Sequence, residues 1–278
     1  MSTPATGHLL DSFPYVRVGD GDKRLVMIPG FGDSMFGGRY PPAAAWALQA
    51  YFHRFTDACT VYVISRPRGL PANYQIDDAA DQYGRILDGF PTPVDVLGIS
   101  MGGFIGQELA ARYPELVEQL VLTVSGWQVA ESGRPIIERW QRYADQQRWY
   151  QLQSEAAAEL YSVRDWRRYL LGSVFGLASQ SLLPRPAVST DVSRSLSAIL
   201  DYDATDILGE VDAETYVVGG SHDPFFPESI LRETADRIPT ADVFPIDGAK
   251  HGAFDERKRR HDTAVKAFLD GSQPVGAD

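Results

Sequence analysis

The chain has one cysteine, Cys59, and no long apolar run. A single cysteine excludes a disulfide bond within the chain, and its place at the start of the apolar stretch CTVYVIS favours a small core residue over a nucleophile. No stretch reaches the roughly 20 consecutive apolar residues that a membrane-spanning helix needs. The first residues, MSTPATGHLLDSFPYVRV, lack the basic start and apolar core of a secretion signal. We therefore expect a cytoplasmic protein that is not embedded in a membrane.

Positive charge is also scarce. The 26 lysines and arginines are outnumbered by 37 aspartates and glutamates, which leaves a net charge of -11. Because nucleic-acid binding needs clustered positive charge, we expect no nucleic-acid partner. Only four of the basic residues are lysines. Two explanations stay open: a salt-rich cytoplasm, where screening makes such self-repulsion tolerable, and the arginine bias of a GC-rich genome.

Apolar strands alternate with amphipathic helices before residue 127 and again after residue 203. The pattern predicts strands at 60–65, 94–100, 117–126, 214–220 and 241–247. It predicts helices at 41–55, 75–90, 101–113, 227–238 and 261–270. Because these strands are apolar throughout, both of their faces should be covered. The sequence therefore predicts an α/β fold with a mostly parallel central sheet and helices on both faces.

The N-terminal part carries a different strand signal. The stretch FPYVRVGDGDKRLVMIPG, residues 13–30, contains two apolar strands separated by Gly-Asp-Gly. This pattern predicts an antiparallel hairpin that leads into the sheet. His8 precedes it in an expected N-terminal tail, where it has no predicted role.

The strand pattern stops between residues 127 and 203. This segment looks helical and holds four of the five tryptophans, at positions 127, 140, 149 and 166. Most of these aromatic residues are expected to pack the helices together, and a few could face a pocket. We therefore expect a core domain formed by 1–126 and 204–278, with 127–203 as a helical insertion.

One short motif joins a predicted strand to a predicted helix. In VDVLGISMGGF, Ser100 lies between Gly98 and Gly102 at the point where the strand ends. A sharp strand-to-helix turn exposes the serine hydroxyl and leaves no room for side chains two residues away on either side. The helix that begins behind the serine also aims free backbone N–H groups at the same place. GxSxG alone is a weak signal, but its position in an alternating α/β chain is the setting of a nucleophile elbow.

At this motif the chain resembles the α/β-hydrolase family, and the likeness extends over nearly its whole length. The resemblance implies a triad in the order serine, acid, histidine, which here is Ser100, Asp223 in VVGGSHDPFFP and His251 in GAKHGAFDER. His222 is a rival base, but a residue adjacent to the acid cannot easily donate a hydrogen bond to it and also reach the serine. Asp247 and Asp255 remain alternative acids.

The resemblance also implies an oxyanion hole made by two backbone N–H groups, those of Phe31 and Met101. Two positions depart from the family pattern. Pro29 and Gly30 replace the common His-Gly pair, and Pro67 stands in SRPRGL where many relatives carry an aspartate ahead of Arg-Gly. The helical insertion at 127–203 takes the position of the family's cap domain, which covers the mouth of the site.

The predicted function is that of a serine hydrolase, a carboxylesterase that cleaves a small or medium hydrophobic ester through an acyl-enzyme. Lactone hydrolysis, C–C bond cleavage beside a ketone and cofactor-free perhydrolysis would use the same residues and stay open. Epoxide or haloalkane hydrolysis needs an aspartate at position 100 and is disfavoured. A ligand-binding receptor on the same fold is the non-catalytic alternative. No cofactor or metal is expected, since no HExxH motif or His/Cys cluster is present.

Overall fold

The computed structural model describes residues 3–91, 93–161 and 185–272. The strands are β1 (Ala5–Leu9), β2 (Phe13–Val18), β3 (Lys23–Ile28), β4 (Cys59–Ile64), β5 (Val94–Ile99), β6 (Val117–Thr123), β7 (Glu214–Gly220) and β8 (Ala241–Ile246). The α-helices are α1 (Pro42–Tyr51), α2 (Ile76–Leu87), α3 (Met101–Arg112), α4 (Arg134–Asp145), α5 (Trp149–Leu160), α6 (Ser189–Asp201), α7 (Glu228–Arg237), α8 (Ala253–Glu256) and α9 (Lys258–Leu269). A short 3-10 turn, Phe31–Met35, follows β3.

The strands of the described chain form one eight-stranded sheet in the order β1-β2-β4-β3-β5-β6-β7-β8. All neighbouring pairs from β4 to β8 are parallel, whereas β2 runs antiparallel to both β1 and β4. The predicted fold class, a mostly parallel sheet with helices around it, is confirmed. In such a sheet the loops after the parallel strands all emerge at one edge, so residues distant in sequence meet there.

The predicted hairpin at 13–30 is wrong. β2 does not pair with β3, because β4 lies between them, with Tyr15 opposite Ile64 on one side and Leu25 opposite Val61 on the other. The Gly-Asp-Gly connection instead crosses the start of β4, and a Cβ at Gly21 would lie 2.1 Å from the backbone of Ala58. The glycine that suggests a tight turn thus permits a close crossing of two chain segments.

The actual hairpin at this end of the chain joins β1 and β2. His8 therefore lies in β1, opposite Pro14, and not in a tail as expected. The pairing covers the edge of β2 that would otherwise be open.

The core has two layers because successive residues of a strand point to opposite faces. In β3, Val26 and Ile28 belong to the same buried cluster as residues of α2, α3 and α7, whereas Leu25 and Met27 belong to the cluster that includes residues of α1 and α9. All four side chains are fully buried. The central strand is therefore held between helical layers, as its apolar sequence predicts.

The segment between β6 and β7 contains α4, α5 and α6, so it is helical where the structure describes it. Trp140 and Trp149 are buried there among apolar residues of the same layer as α2 and α3. The prediction for Trp166 falls outside the described residues. Among the helices of the described residues, none has the length and the apolar composition of a membrane span.

Candidate active site

Ser100 occupies the turn between β5 and α3. Its backbone φ is 53° and its ψ is -119°, a conformation that a residue with a side chain adopts only under strain. The turn is held by a 2.9 Å hydrogen bond from the Ser100 N–H to the carbonyl of Thr123, at the end of the neighbouring β6. Ser100 is partly exposed, while Ile99 and Met101 on either side are buried. The turn therefore presents the hydroxyl at the edge of the sheet.

The glycines around Ser100 are required by close backbone contacts. A Cβ at Gly98 would lie 2.4 Å from the carbonyl oxygen of Gly102, and a Cβ at Gly102 would lie 2.0 Å from that of Ile28. Real Cβ atoms do not approach other atoms so closely, so both positions exclude any side chain. The elbow is packed directly against the end of β3, which brings the loop after β3 to the serine.

The loops after β7 and β8 bring Asp223 and His251 to the same edge. The His251 Nε2 lies 3.0 Å from the Ser100 Oγ, and the His251 Nδ1 lies 2.7 Å from an oxygen of Asp223. The imidazole therefore bridges the carboxylate and the hydroxyl. Of the alternative residues, His222 and Asp247 are exposed, and Asp255 is bonded to two tyrosines instead.

Both partners of the serine are held firmly. Asp223 is 1 % exposed and His251 is 7 % exposed. The second Asp223 oxygen accepts the N–H of Phe225 at 2.8 Å, which fixes the rotation of the carboxylate. The rings of Phe225 and Phe226 contact the imidazole at centroid distances of 5.0 and 5.7 Å. Apolar walls on two sides exclude water from the hydrogen bond between histidine and carboxylate.

The loop after β3 lies beside Ser100. A Cβ at Gly30 would be 3.2 Å from the Cβ of Ser100, so the Gly30–Phe31 peptide borders the hydroxyl. Phe31 and Met101 are the first residues of the 3-10 turn and of α3. N–H groups at a first helical position have no preceding turn of helix to accept their hydrogen bonds, so they are available to a ligand.

A buried ionic cluster underlies this loop, and the sequence gives little sign of it. Arg66 is 1 % exposed and donates to the carbonyl oxygens of Pro29 and Gly30 at 2.9 and 3.1 Å. Asp33 lies between two guanidinium groups, 2.8 Å from Arg68 and 3.6 Å from Arg66. Burial alone would raise the pKa of Asp33, but the charges of Arg68 and Arg66 lower it below its ordinary value. The carboxylate is therefore ionised and balances the buried cation.

An aromatic row connects α4 with the site. The ring of Trp140 stacks on Phe31 at a centroid distance of 6.1 Å and contacts Phe225 at 5.3 Å. Trp140 and Phe225 are buried, and Phe31 is partly exposed. The helical segment is thus in contact with both sides of Ser100, the loop after β3 and the loop that carries Asp223.

The end of α5 is attached to the loop that carries His251. The Gly252 N–H donates to the Leu160 carbonyl at 2.6 Å, and the Tyr161 hydroxyl donates to Asp255 at 3.1 Å. Burial raises the pKa of Asp255, although hydrogen bonds from Tyr51 and Tyr161 oppose the shift. These contacts on the C-terminal side of His251 hold the loop against the helical segment.

Comparison with known proteins agrees with this architecture. A sequence model of the Alpha/beta hydrolase family matches residues 25–264. A pimeloyl-acyl-carrier-protein methyl ester esterase from Chromobacterium violaceum is 29% identical over 180 residues, which is 59% of this chain and 65% of that protein. The match therefore spans just under two thirds of that esterase.

Solved structures show the same fold at lower identity. A thermophilic esterase from Thermogutta terrifontis superposes with a TM-score of 0.74 at 19% identity, covering 93% of each chain. An enol-lactonase from Burkholderia xenovorans has a TM-score of 0.79 at 15% identity, covering 96% of this chain and 100% of the lactonase. The family match over residues 25–264, together with the eight-stranded sheet, establishes that this chain belongs to the alpha/beta hydrolase family.

Proposed function

We propose that this protein is a serine hydrolase, a carboxylesterase that cleaves small or medium hydrophobic esters through an acyl-enzyme. The observation that carries the proposal is the position of His251. Its two ring nitrogens lie 3.0 Å from the Ser100 hydroxyl and 2.7 Å from the Asp223 carboxylate. A nucleophile, a base and an orienting acid in hydrogen-bonded order are what acyl transfer requires.

In the first half of the reaction, the Ser100 Oγ attacks the carbonyl carbon of the ester while His251 Nε2 accepts the serine proton. The carbonyl π bond opens and places a negative charge on its oxygen. When the tetrahedral intermediate collapses, the bond to the alcohol breaks and His251 returns its proton to the leaving oxygen. Asp223 keeps the other ring proton on Nδ1 and stabilises the transient imidazolium.

In the second half, water takes the place of the alcohol. His251 accepts a proton from the water as the water oxygen attacks the acyl carbon and a second tetrahedral intermediate forms. When this intermediate collapses, the bond between the acyl carbon and the Ser100 Oγ breaks, and His251 returns the proton to that Oγ. The products are a carboxylic acid and the free enzyme. In both halves, the N–H groups of Phe31 and Met101 donate to the oxyanion, and such a donor contributes about 10² to 10³ in kcat.

The substrate class follows from what surrounds the serine. Phe31, Trp140 and Phe225 form an apolar wall in contact with the site, which suits a hydrophobic acyl or alcohol group. We assign residues 127–203 the role of a cap over this wall. The related protein from Chromobacterium violaceum is named as a methyl ester esterase, which supports ester hydrolysis over C–C cleavage.

The test is hydrolysis of p-nitrophenyl esters of increasing acyl length by the wild-type protein and by Ser100→Ala. The wild type should release product steadily, and Ser100→Ala should lose this activity because it removes the hydroxyl that is hydrogen-bonded to His251. Ser132→Ala is the matched control, since its hydroxyl is exposed and bonded to the Pro224 carbonyl. Unchanged turnover by Ser100→Ala would refute the proposal.

A ligand-binding receptor is separated from an enzyme by the time course. Two measurements together support the esterase: fast labelling of Ser100 by a fluorophosphonate, and many turnovers per molecule in a separate sample of untreated protein. Tight ligand binding with at most one slow turnover would contradict it.

A further inference from the structure

Arg66 is the largest side chain among those fully buried in the described part of the chain. Arginine is almost never buried unless its charge and donors are satisfied. Here the guanidinium donates to two carbonyl oxygens, those of Pro29 and Gly30, and lies 3.6 Å from the Asp33 carboxylate. These two carbonyls belong to the loop that borders Ser100, so the cation acts on that loop and not on a distant part of the fold.

The chemistry of the peptide bond connects this contact with the site. The Gly30 carbonyl and the Phe31 N–H belong to the same planar group, and in a trans peptide they point in opposite directions. A donor that fixes the carbonyl therefore fixes the direction of the N–H. The Gly30 oxygen is held by Arg66 at 3.1 Å and by the Asp33 N–H at 3.1 Å.

We propose that Arg66 is a positioning residue for the oxyanion hole, which aims the Phe31 N–H at the substrate by holding the Gly30 carbonyl on the opposite side of the peptide. The inference rests on the proposed function, because it assumes that Phe31 donates to an oxyanion. The positive charge of Arg66 beside the Gly30 carbonyl oxygen also polarises the Gly30–Phe31 peptide and makes the Phe31 N–H a stronger donor. Arg66 itself does not touch the substrate.

The two charged neighbours of Arg66, Asp33 and Arg68, make different contacts. Asp33 balances the buried charge, and its carboxylate also accepts the Arg66 backbone N–H at 3.0 Å. Arg68 donates to the carboxylate and the backbone carbonyl of Asp33 and to the Arg66 carbonyl, and within the described residues it makes no hydrogen bond to the carbonyls of Pro29 or Gly30. Arg68→Lys is therefore the matched control, since it changes a guanidinium on the same carboxylate and leaves the hydrogen bonds to the Pro29 and Gly30 carbonyls in place.

The experiment compares Arg66→Met, Arg66→Lys and Arg68→Lys with the wild type. Active sites are titrated with a fluorophosphonate, so kcat is expressed per reactive Ser100 and unfolded protein does not count. An alkylboronic acid, which forms a tetrahedral adduct with serine, reports on the oxyanion hole by its inhibition constant. Arg66→Lys keeps the positive charge but replaces the guanidinium, which donates to two carbonyls, with a single ammonium. This variant still tests the proposal if Arg66→Met does not fold.

We expect Arg66→Met to lower kcat per titrated site by about 10²-fold, the effect of losing one oxyanion donor, and to weaken boronate binding by a similar factor. KM should change little, since the ground-state ester does not need the aligned donor. Arg66→Lys should give an intermediate loss, and Arg68→Lys should stay near the wild type. If both Arg66 variants keep the wild-type kcat per titrated site and boronate affinity, the role is only structural and the inference is overturned.

Failure of the proposed function has a different signature. In that case the wild type itself neither hydrolyses aryl esters nor binds the boronate, and the inference falls with it. A wild type that does both, beside Arg66 variants that match it, overturns the role of Arg66 alone.

Discussion

Replacing Asp223 by asparagine tests how the acid orients the imidazole. One oxygen of Asp223 accepts the Phe225 N–H at 2.8 Å, and the other faces the His251 Nδ1 at 2.7 Å. Since a backbone N–H can be satisfied only by an acceptor, an asparagine at this position should keep its oxygen on Phe225. Its amide group then points at His251 and donates to Nδ1.

The consequence is the wrong tautomer. A histidine that accepts at Nδ1 carries its proton on Nε2, and this nitrogen lies 3.0 Å from the Ser100 hydroxyl. It can then no longer accept the serine proton. We expect kcat to fall by about 10⁴-fold, equivalent to about 5.5 kcal/mol of transition-state stabilisation. Stability should change much less, because the buried side chain keeps its shape and its bond to Phe225.

The assay is the kcat for a p-nitrophenyl ester, normalised to folded protein by thermal denaturation. Asp247→Asn is the control, since Asp247 is an exposed carboxylate at the end of β8. A folded Asp223→Asn protein with a kcat within about ten-fold of the wild type would show that the acid does not set the tautomer.

Two further predictions concern packing and buried charge. Gly102→Ala places a Cβ 2.0 Å from the Ile28 carbonyl oxygen, so it should cost about 1–3 kcal/mol of stability and most of the activity, whereas Gly32→Ala, with no atom within 4 Å of its Cβ, should do neither. Denaturant melts and kcat measure both, and a Gly102→Ala protein as stable and active as the wild type would contradict the packing of the elbow. Burial raises the pKa of Asp95 from its ordinary 3.8 to about 6, so the folded protein holds this proton more tightly than the unfolded chain and loses stability as the pH rises through this interval. Asp95→Asn should therefore gain about 2–3 kcal/mol at pH 8, a gain that disappears near pH 4; a gain independent of pH would contradict the assigned cause.

The residues of the candidate site can be proposed from the sequence because each carries a local signal, and the structure places Ser100, His251 and Asp223 within hydrogen-bond distance of one another. Ser100, Asp223 and His251 all follow apolar strands, and parallel strands end at one edge of a sheet. The glycines at 98 and 102 likewise indicate a turn that has no room for side chains. The order and direction of the strands therefore largely determine which loops meet at this edge of the sheet.

Features that depend on long-range packing were not predictable in the same way. The Gly-Asp-Gly connection suggested a hairpin, but hairpin and crossing need the same small residues, and only the position of β4 decides between them. Arg66 was overlooked because an arginine in a loop is usually exposed, and its burial depends on Asp33, which lies 33 residues away. The attachment of Leu160 to Gly252 joins two backbone groups and has no sequence signature.

The central claim is that Ser100 becomes acylated because His251 and Asp223 make it a nucleophile. The most direct measurement is peptide mass spectrometry after treatment with a fluorophosphonate, in parallel with residual esterase activity. The account predicts one adduct per chain, on the peptide that contains Ser100, appearing at the rate at which activity is lost, and a strongly slowed reaction in His251→Asn. Complete loss of activity with the label on another residue, or with Ser100 unmodified, would contradict it.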